Sequence, residues 1–232
     1  MRALLFLLPV ALAACSNSGG GGNPFVTPAD LAGAQIDAGG AAGWYLPTGY
    51  SLVPFAGAEA KHDFPMADPV LAKGLDYQAV LETDAGRLVL DLLETQTPNT
   101  VNSFVFLTLH HYFDGIAFHR VLDKFVAQAG DPNTLETNRA NWGQGGPGYG
   151  FGLEIVDTLK YSEAGVVGMA RTNDPNSNGS QFFITLDATP NLNGQYTIFA
   201  RVTEGLDVLP KIARGMPPQT PTRITRVYIV AK

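Results

Sequence analysis

"FHRVLDKFVAQAGDP" (residues 118–132) places one arginine, Arg120, between two apolar runs with the length and composition of short β-strands. A guanidinium group in a buried hairpin lowers stability unless a carboxylate or a ligand compensates its charge. The acidic residues near it in the sequence are Asp114, Asp123 and Asp131. The stretch therefore predicts either a structural ion pair at Arg120 or a binding site built around it.

On both sides of this hairpin, short β-rich runs alternate with turns that contain Gly or Pro. Further strands are predicted at "YQAVLET" (77–83), "GRLVLDLL" (86–93), "GVVGMAR" (165–171), "SQFFITL" (180–186), "YTIFARV" (196–202) and "TRITRVYIVAK" (222–232). Apolar residues with helical spacing predict a helix over 97–112, and a second short helix is predicted over 205–214. The pattern favours an all-β dominated fold, a closed eight-stranded antiparallel β-barrel capped by two α-helices, because closure leaves no exposed sheet edge.

The first 15 residues have the pattern of a secretory signal, in which Arg2 precedes an apolar stretch that ends in small residues. The stretch is shorter than the roughly 20 residues that a helix needs to cross a bilayer. Its ending "LAAC" resembles the bacterial lipoprotein signal, which predicts a lipid-bearing Cys15 and a membrane-anchored, extracytoplasmic location in the cell envelope. The alternative is a plain secreted protein in which this cysteine is incidental.

Three regions follow this segment. Residues 16–24 are rich in Gly and Ser and predict a flexible linker, and residues 25–75 show no sustained period and predict an irregular N-terminal extension. Residues 76–232 contain the predicted barrel.

The formal net charge of −6, with no cluster of Lys or Arg, argues against a nucleic-acid partner. The single cysteine excludes an internal disulfide, and adjacent His110 and His111 point about 100° apart on a helix, so no metal site is predicted.

Three blocks of the sequence resemble the cyclophilin-type peptidyl-prolyl cis-trans isomerases. They are "FHRVLDKFVAQAGD" (118–131), "GMARTNDPNSNGSQFFITL" (168–186) and "LNGQYTIFARV" (192–202), in the family's order. With its flanking elements the likeness covers residues 77–230. The resemblance implies a cyclophilin-like barrel that isomerises X-Pro bonds during the folding of exported proteins. It also implies that the protein needs no cofactor, acts as a monomer, and binds unfolded or loop segments that contain proline.

The resemblance also assigns the site residues. The catalytic residues are Arg120, Phe125 and Gln128, and the substrate-binding residues are Val126, Thr172, Asn173, Gln181, Phe183, Leu192 and Tyr196. Rotation about an X-Pro bond faces a barrier of about 18–20 kcal/mol, because amide resonance is lost midway and the prolyl nitrogen regains a lone pair. A guanidinium that donates to this nitrogen stabilises the twisted state more than the planar states, which is the role implied for Arg120.

Four positions depart from the family's pattern. Val126 stands where a methionine is usual, which narrows the pocket wall, and Tyr196 stands where many members have histidine. Ala129 replaces a turn glycine, a mild change unless that position needs a positive φ. Asn191 replaces the tryptophan of the eukaryotic members, so we expect weak binding of cyclosporin.

Two other functions remain open from the sequence. The domain could act as a non-catalytic chaperone module that binds proline-containing segments, although a pure binder has no need of Arg120. Alternatively, residues 25–75 could dock to an envelope partner and use the barrel as a scaffold.

Overall fold

The computed structural model describes residues 43–232, so the predicted signal, Cys15, the linker and the first part of the extension lie outside the described residues. Nine strands form one antiparallel sheet: β1 (Ser51–Leu52), β2 (Tyr77–Thr83), β3 (Gly86–Leu92), β4 (Arg120–Val121), β5 (Val126–Ala129), β6 (Val166–Met169), β7 (Phe182–Thr185), β8 (Ile198–Glu204) and β9 (Ile224–Ala231). The strand order is β1-β9-β2-β3-β8-β6-β7-β5-β4. The predicted strands are therefore present in an all-β dominated fold, with one addition, β1.

The closed barrel that we predicted is not confirmed. Within residues 43–232, the two ends of the strand order are β1 and β4, and no continuous ladder joins them. Two isolated bridges, Ala117 to Arg223 and Val121 to Gly215, connect the β4 region to the segment that leads into β9. Because β4 contains only two residues, it is too short to form a second ladder while it pairs with β5.

One α-helix, α1 (Pro98–Leu109), packs against the sheet, and nine of its residues are buried. Phe104 in this helix stacks on Phe113 at 5.0 Å and meets the ring of Phe182 edge-on at 5.7 Å. The second predicted helix is a 3-10 helix, Leu206–Lys211, which contains Pro210. Proline has no N–H group to donate to an α-helical ladder, which favours the shorter form.

The described part of the N-terminal extension packs on the domain. Its strand β1 pairs with β9, and Val53, Phe64 and Val70 belong to the main hydrophobic core. In the described range of 43–232, no helix has both the length and the apolar character needed to cross a membrane. The domain boundary near residue 76 stays a prediction.

Candidate active site

Two of the predicted catalytic residues, Arg120 and Gln128, and one predicted substrate-binding residue, Phe183, lie in one row across neighbouring strands. Arg120 in β4 is opposite Gln128 in β5, and Gln128 is opposite Phe183 in β7. Phe183 is in turn opposite Gly168 in β6. Residues directly opposite each other in a sheet have side chains on the same face. The register therefore brings a cation, an amide and an aromatic ring to one face, although Arg120 and Phe183 are 63 residues apart.

These side chains border a pocket of about 260 Å³. Its lining residues are Arg120, Phe125, Val126, Gln128, Ala170, Arg171, Phe183, Leu192 and Tyr196. Val126, Phe183 and Leu192 are buried and form its apolar wall. An aliphatic and aromatic wall of this size suits a small apolar ring such as the pyrrolidine of proline.

A chain of hydrogen bonds positions the polar side of the pocket. Arg120 Nη1 donates to Gln128 Oε1 at 3.4 Å. Gln128 Nε2 donates to Gln181 Oε1 at 2.9 Å, and Gln181 Nε2 donates to the carbonyl oxygen of Gly145 at 2.9 Å. Each amide accepts on one side and donates on the other, so the chain fixes the orientation of Gln128 and directs its oxygen toward the guanidinium.

The carboxylates that could have paired with Arg120 have other partners. Asp114 contacts His111 Nδ1 at 2.9 Å, and Asp123 lies 3.6 Å from Arg214. Asp131 accepts from the backbone N–H of Asn133. Among the described residues Arg120 forms no ion pair, and its Cζ lies 5.8 Å from the centre of the Phe125 ring. The guanidinium charge thus faces the pocket and is not neutralised by a structural carboxylate.

The segment from Ala170 to Asn173, in which Thr172 and Asn173 are predicted to bind the peptide, runs along two neighbouring pockets. Ala170 and Arg171 border the apolar pocket, whereas Thr172 borders a neighbouring pocket of about 500 Å³ and Asn173 borders neither. The Thr172 backbone N–H donates to the hydroxyl of Ser177 at 2.9 Å, which closes a local loop.

Two departures from the family's pattern fit the local backbone. Ala129 lies in β5, and the left-handed conformation of the turn belongs to Gly130, with φ of +90°. A Cβ at Gly130 would lie 2.2 Å from the carbonyl oxygen of Ser180, so glycine is required there but not at Ala129. The Tyr196 ring meets Phe183 edge-on, with the ring centres 5.7 Å apart and the planes at 87°.

Behind the row, His119 is buried with 5% of its surface exposed. Neither ring nitrogen makes a hydrogen bond of ordinary geometry with the described residues, although the Ala117 backbone and the Gln181 side chain lie nearby. Burial lowers the pKa of His119 below its ordinary value of 6.5, and the negative charge of Asp131 opposes this shift. No sequence pattern indicated this environment, because Asp131 and Gln181 are distant from His119 in the chain.

Comparison with known proteins matches most of the domain to one family. The family described as "Cyclophilin type peptidyl-prolyl cis-trans isomerase/CLD" matches residues 79–229. Peptidyl-prolyl cis-trans isomerase-like 1 of Gibberella zeae is 42% identical over 133 residues, which cover 57% of this chain and 79% of that protein. Peptidyl-prolyl cis-trans isomerase CYP18-2 of Arabidopsis thaliana is 35% identical over 158 residues, 68% of this chain and 93% of that protein.

A solved structure supports the fold. The cyclophilin type isomerase of Cryptosporidium parvum, determined in the presence of the dipeptide Ala-Pro, has 32% sequence identity and a TM-score of 0.60. The match covers 66% of this chain and 98% of the other.

The comparisons correct the predicted location in a cell envelope. Several curated relatives are peptidyl-prolyl isomerases of eukaryotes, among them fungi, a plant and a bird, and these matches do not indicate a bacterial lipoprotein of the envelope. The physical reason for the error is that a short apolar stretch ending in cysteine is a weak pattern, and it was the only basis for the prediction. The family match spans more than half of the sequence, and this chain belongs to the cyclophilin-type peptidyl-prolyl cis-trans isomerases.

Proposed function

We propose that the row of Arg120, Gln128 and Phe183 is the catalytic site at which this chain isomerises X-Pro bonds in unfolded or loop segments. The pocket opens on the surface of the domain, so a proline in an accessible segment can reach it, whereas a proline in a packed core cannot. All of these groups come from one chain, and the proposal therefore requires no second copy. Uncatalysed X-Pro isomerisation takes tens to hundreds of seconds and can limit folding, which gives such an activity its use.

In the proposed mechanism, the apolar wall holds the pyrrolidine ring while the preceding carbonyl rotates. Val126, Phe183 and Leu192 contact the ring on one side of the rotating bond. As the amide twists, the prolyl nitrogen loses resonance and becomes a hydrogen-bond acceptor. Arg120 donates to this nitrogen, and this interaction exists only in the twisted state, so it lowers the barrier without stabilising the reactant.

The observation that carries the proposal is the orientation of Arg120. Gln128 accepts from one of its nitrogens, and the Gln181 amide and the Gly145 carbonyl hold Gln128 in place. A donor that is already oriented loses little entropy when the transition state forms. A module that only bound proline would need the apolar wall and would gain nothing from an oriented cation beside it.

The test is the rate of cis-to-trans isomerisation of a proline tetrapeptide with the full chain and with Arg120→Ala. Removal of one oriented donor typically lowers kcat by about 100-fold to 1000-fold, and we expect a loss of this order in kcat/KM. Arg120→Lys keeps the positive charge but loses the planar guanidinium group, so we expect a kcat/KM between those of Arg120→Ala and the wild type. Equal rates for the wild type and Arg120→Ala, with tetrapeptide binding retained, would favour the non-catalytic binding module.

A further inference from the structure

The surface around the proline pocket has a charge opposite to that of the protein. The proline pocket and the neighbouring pocket are bordered by two arginines, Arg120 and Arg171. Among the described residues that border either pocket there is no Asp, Glu or Lys. The chain nevertheless has a formal net charge of −6. The substrate groove is therefore a local positive region on an acidic protein.

Arg171 is held in place at the junction of the two pockets, which it borders on both sides. Its Nε donates to the carbonyl oxygen of Gln195 at 3.0 Å, and its Nη1 donates to the carbonyl oxygen of Thr172 at 2.8 Å. Its Cζ also lies 5.0 Å from the centre of the Tyr196 ring. In the described part of the chain no residue accepts a hydrogen bond from Nη2, and no carboxylate forms an ion pair with this side chain.

The carboxylate nearest to Arg171 in the sequence does not neutralise it. Asp174 lies in the adjoining loop, where its Oδ1 accepts from the backbone N–H of Asn176 at 2.9 Å. Within residues 43–232, the Arg171 guanidinium is bound only by neutral carbonyl groups and by an aromatic face. Its position is thus fixed before a peptide binds, and little side-chain entropy is lost when it contacts one.

The direction of the peptide follows from Arg120. The prolyl nitrogen, which must lie near Arg120, also bears the carbonyl of the preceding residue. Gln128 is adjacent to Arg120 and borders both pockets, and we therefore place the chain before the proline along Gln128 toward the neighbouring pocket. On that path it passes Arg171.

We propose that Arg171 makes this site selective for peptides with Asp or Glu in the two residues before the proline. The inference rests on the proposed function, because it takes the binding direction from the role of Arg120. A carboxylate in these positions meets the free edge of the Arg171 guanidinium, whereas a Lys at the same place is repelled by Arg171 and by Arg120.

The experiment compares kcat/KM for tetrapeptides that are identical except for Glu, Gln or Lys at each of these two positions. For a partly exposed ion pair we expect the Glu peptide to exceed the Gln peptide by about two- to five-fold at one of the positions, with Lys below Gln. The ratio of kcat/KM for the Glu peptide to that for the Gln peptide should fall toward one as the salt concentration rises from about 0.05 M to 1 M, because salt screens the attraction between the carboxylate and Arg171. In Arg171→Gln we expect a ratio near one at low salt.

Arg139→Gln is the matched control. Arg139 is also held by two backbone carbonyl groups, those of Pro218 and Gln219, and its Cζ lies 5.1 Å from the Trp142 ring, but it borders neither pocket. The control changes the net charge of the protein by the same amount, so we expect it to keep the wild-type Glu-to-Gln ratio. Equal loss of the ratio in both variants overturns the proposal, as does a wild-type ratio of one.

A failure of the proposed function can be distinguished from a failure of the proposed selectivity. If no tetrapeptide is isomerised, the proposed function fails, and Kd values from NMR titration with the Glu and Gln peptides then measure the preference directly. A Kd ratio above about two that Arg171→Gln abolishes supports selection by Arg171, and equal Kd values overturn it.

Discussion

Gly168 leaves no room for a side chain behind the wall of the proline pocket. A Cβ at this position would lie 2.0 Å from the Tyr161 hydroxyl oxygen and 2.7 Å from Cζ of Phe183. Tyr161 is fully buried and Phe183 nearly so, so neither ring can move outward without loss of packing. The glycine thus lets two aromatic side chains cross the face of the sheet and support the pocket from below.

We predict that Gly168→Ala lowers the free energy of unfolding by about 1–3 kcal/mol, the usual cost of overpacking, and raises KM because Phe183 is displaced. Urea denaturation and the tetrapeptide assay measure the two effects. Gly57→Ala is the control, since a Cβ at Gly57 has no heavy atom within 4 Å and its φ is not positive. Equal stability of the two variants would contradict the prediction.

His119 makes stability depend on pH in a direction that can be worked out. Its pKa is lowered by burial in the folded state, whereas the unfolded chain has the ordinary value of 6.5. Above pH 6.5 the ring is neutral in both states and has no effect. Below pH 6.5 the unfolded state binds a proton that the folded state does not, so stability is lost as the pH falls.

We therefore expect the free energy of unfolding to decrease between pH 7 and pH 5, with a smaller decrease in His119→Gln. Burial also lowers the pKa of His62, so some pH dependence should remain in the variant. Denaturant titrations at several pH values provide the measurement. Parallel curves for the wild type and the variant would show that His119 does not contribute.

Residue identity predicted one part of the candidate site and not the other. Arg120, Gln128 and Phe183 stand in sequence blocks that resemble the family, and strand pairing places them in one row. The sequence did not single out Arg171, because its hydrogen bonds to backbone carbonyl groups depend on the folded loop.

At the scale of elements, the start of α1 is stabilised by a residue far away in the sequence. Thr97 occupies the N-cap position of this helix, but its side chain makes no capping hydrogen bond. Instead, Glu154 Oε1 accepts from the backbone N–H of Asn99 at 3.1 Å, and Oε2 accepts from that of Thr100 at 2.7 Å. Such a cap depends on tertiary structure, so no local sequence pattern could have indicated it.

Glu154→Ala should lower the free energy of unfolding by about 1–2 kcal/mol, because it leaves two N–H groups of the first turn without their acceptors and removes a negative charge from the positive end of the helix dipole. Glu154→Gln keeps one acceptor oxygen and should lose less. The exposed Glu59 offers the control Glu59→Ala, for which we expect little change. Thermal and urea denaturation measure these differences. A loss in Glu154→Ala no larger than in the control would contradict the capping role.

At the scale of the whole molecule, the described extension completes the domain. The family match begins at residue 79, and the segment before it has few repeating apolar positions, so the sequence indicated only an irregular region. In the structure the backbone N–H groups of Ala56 and Lys61 donate to the carbonyl groups of Leu109 and His110, at the end of α1. These two carbonyl oxygens accept no hydrogen bond from within the helix, because they lie at its C-terminal end. The N–H groups of the extension supply the missing donors.

Phe64 joins the extension to the site. Its ring packs edge-on against Phe106 at 4.9 Å, and its backbone N–H donates to the carbonyl oxygen of Pro147 at 2.8 Å. Pro147 lies in the glycine-rich loop whose Gly145 carbonyl holds Gln181 and, through it, Gln128. The extension therefore supports the loop that orients the polar side of the pocket.

The full chain with Phe64→Ala should lose about 3–5 kcal/mol of stability, the usual cost of removing a buried phenylalanine side chain. The same variant should also lower kcat/KM in conditions where it is still folded, because without the packed ring the Phe64 backbone N–H that holds Pro147 is less firmly positioned. Met66→Ala is the matched control on the same segment, since Met66 is 63% exposed whereas Phe64 is 4% exposed. Urea denaturation and the tetrapeptide assay test both effects, and similar values for the two variants would show that the extension does not support the site.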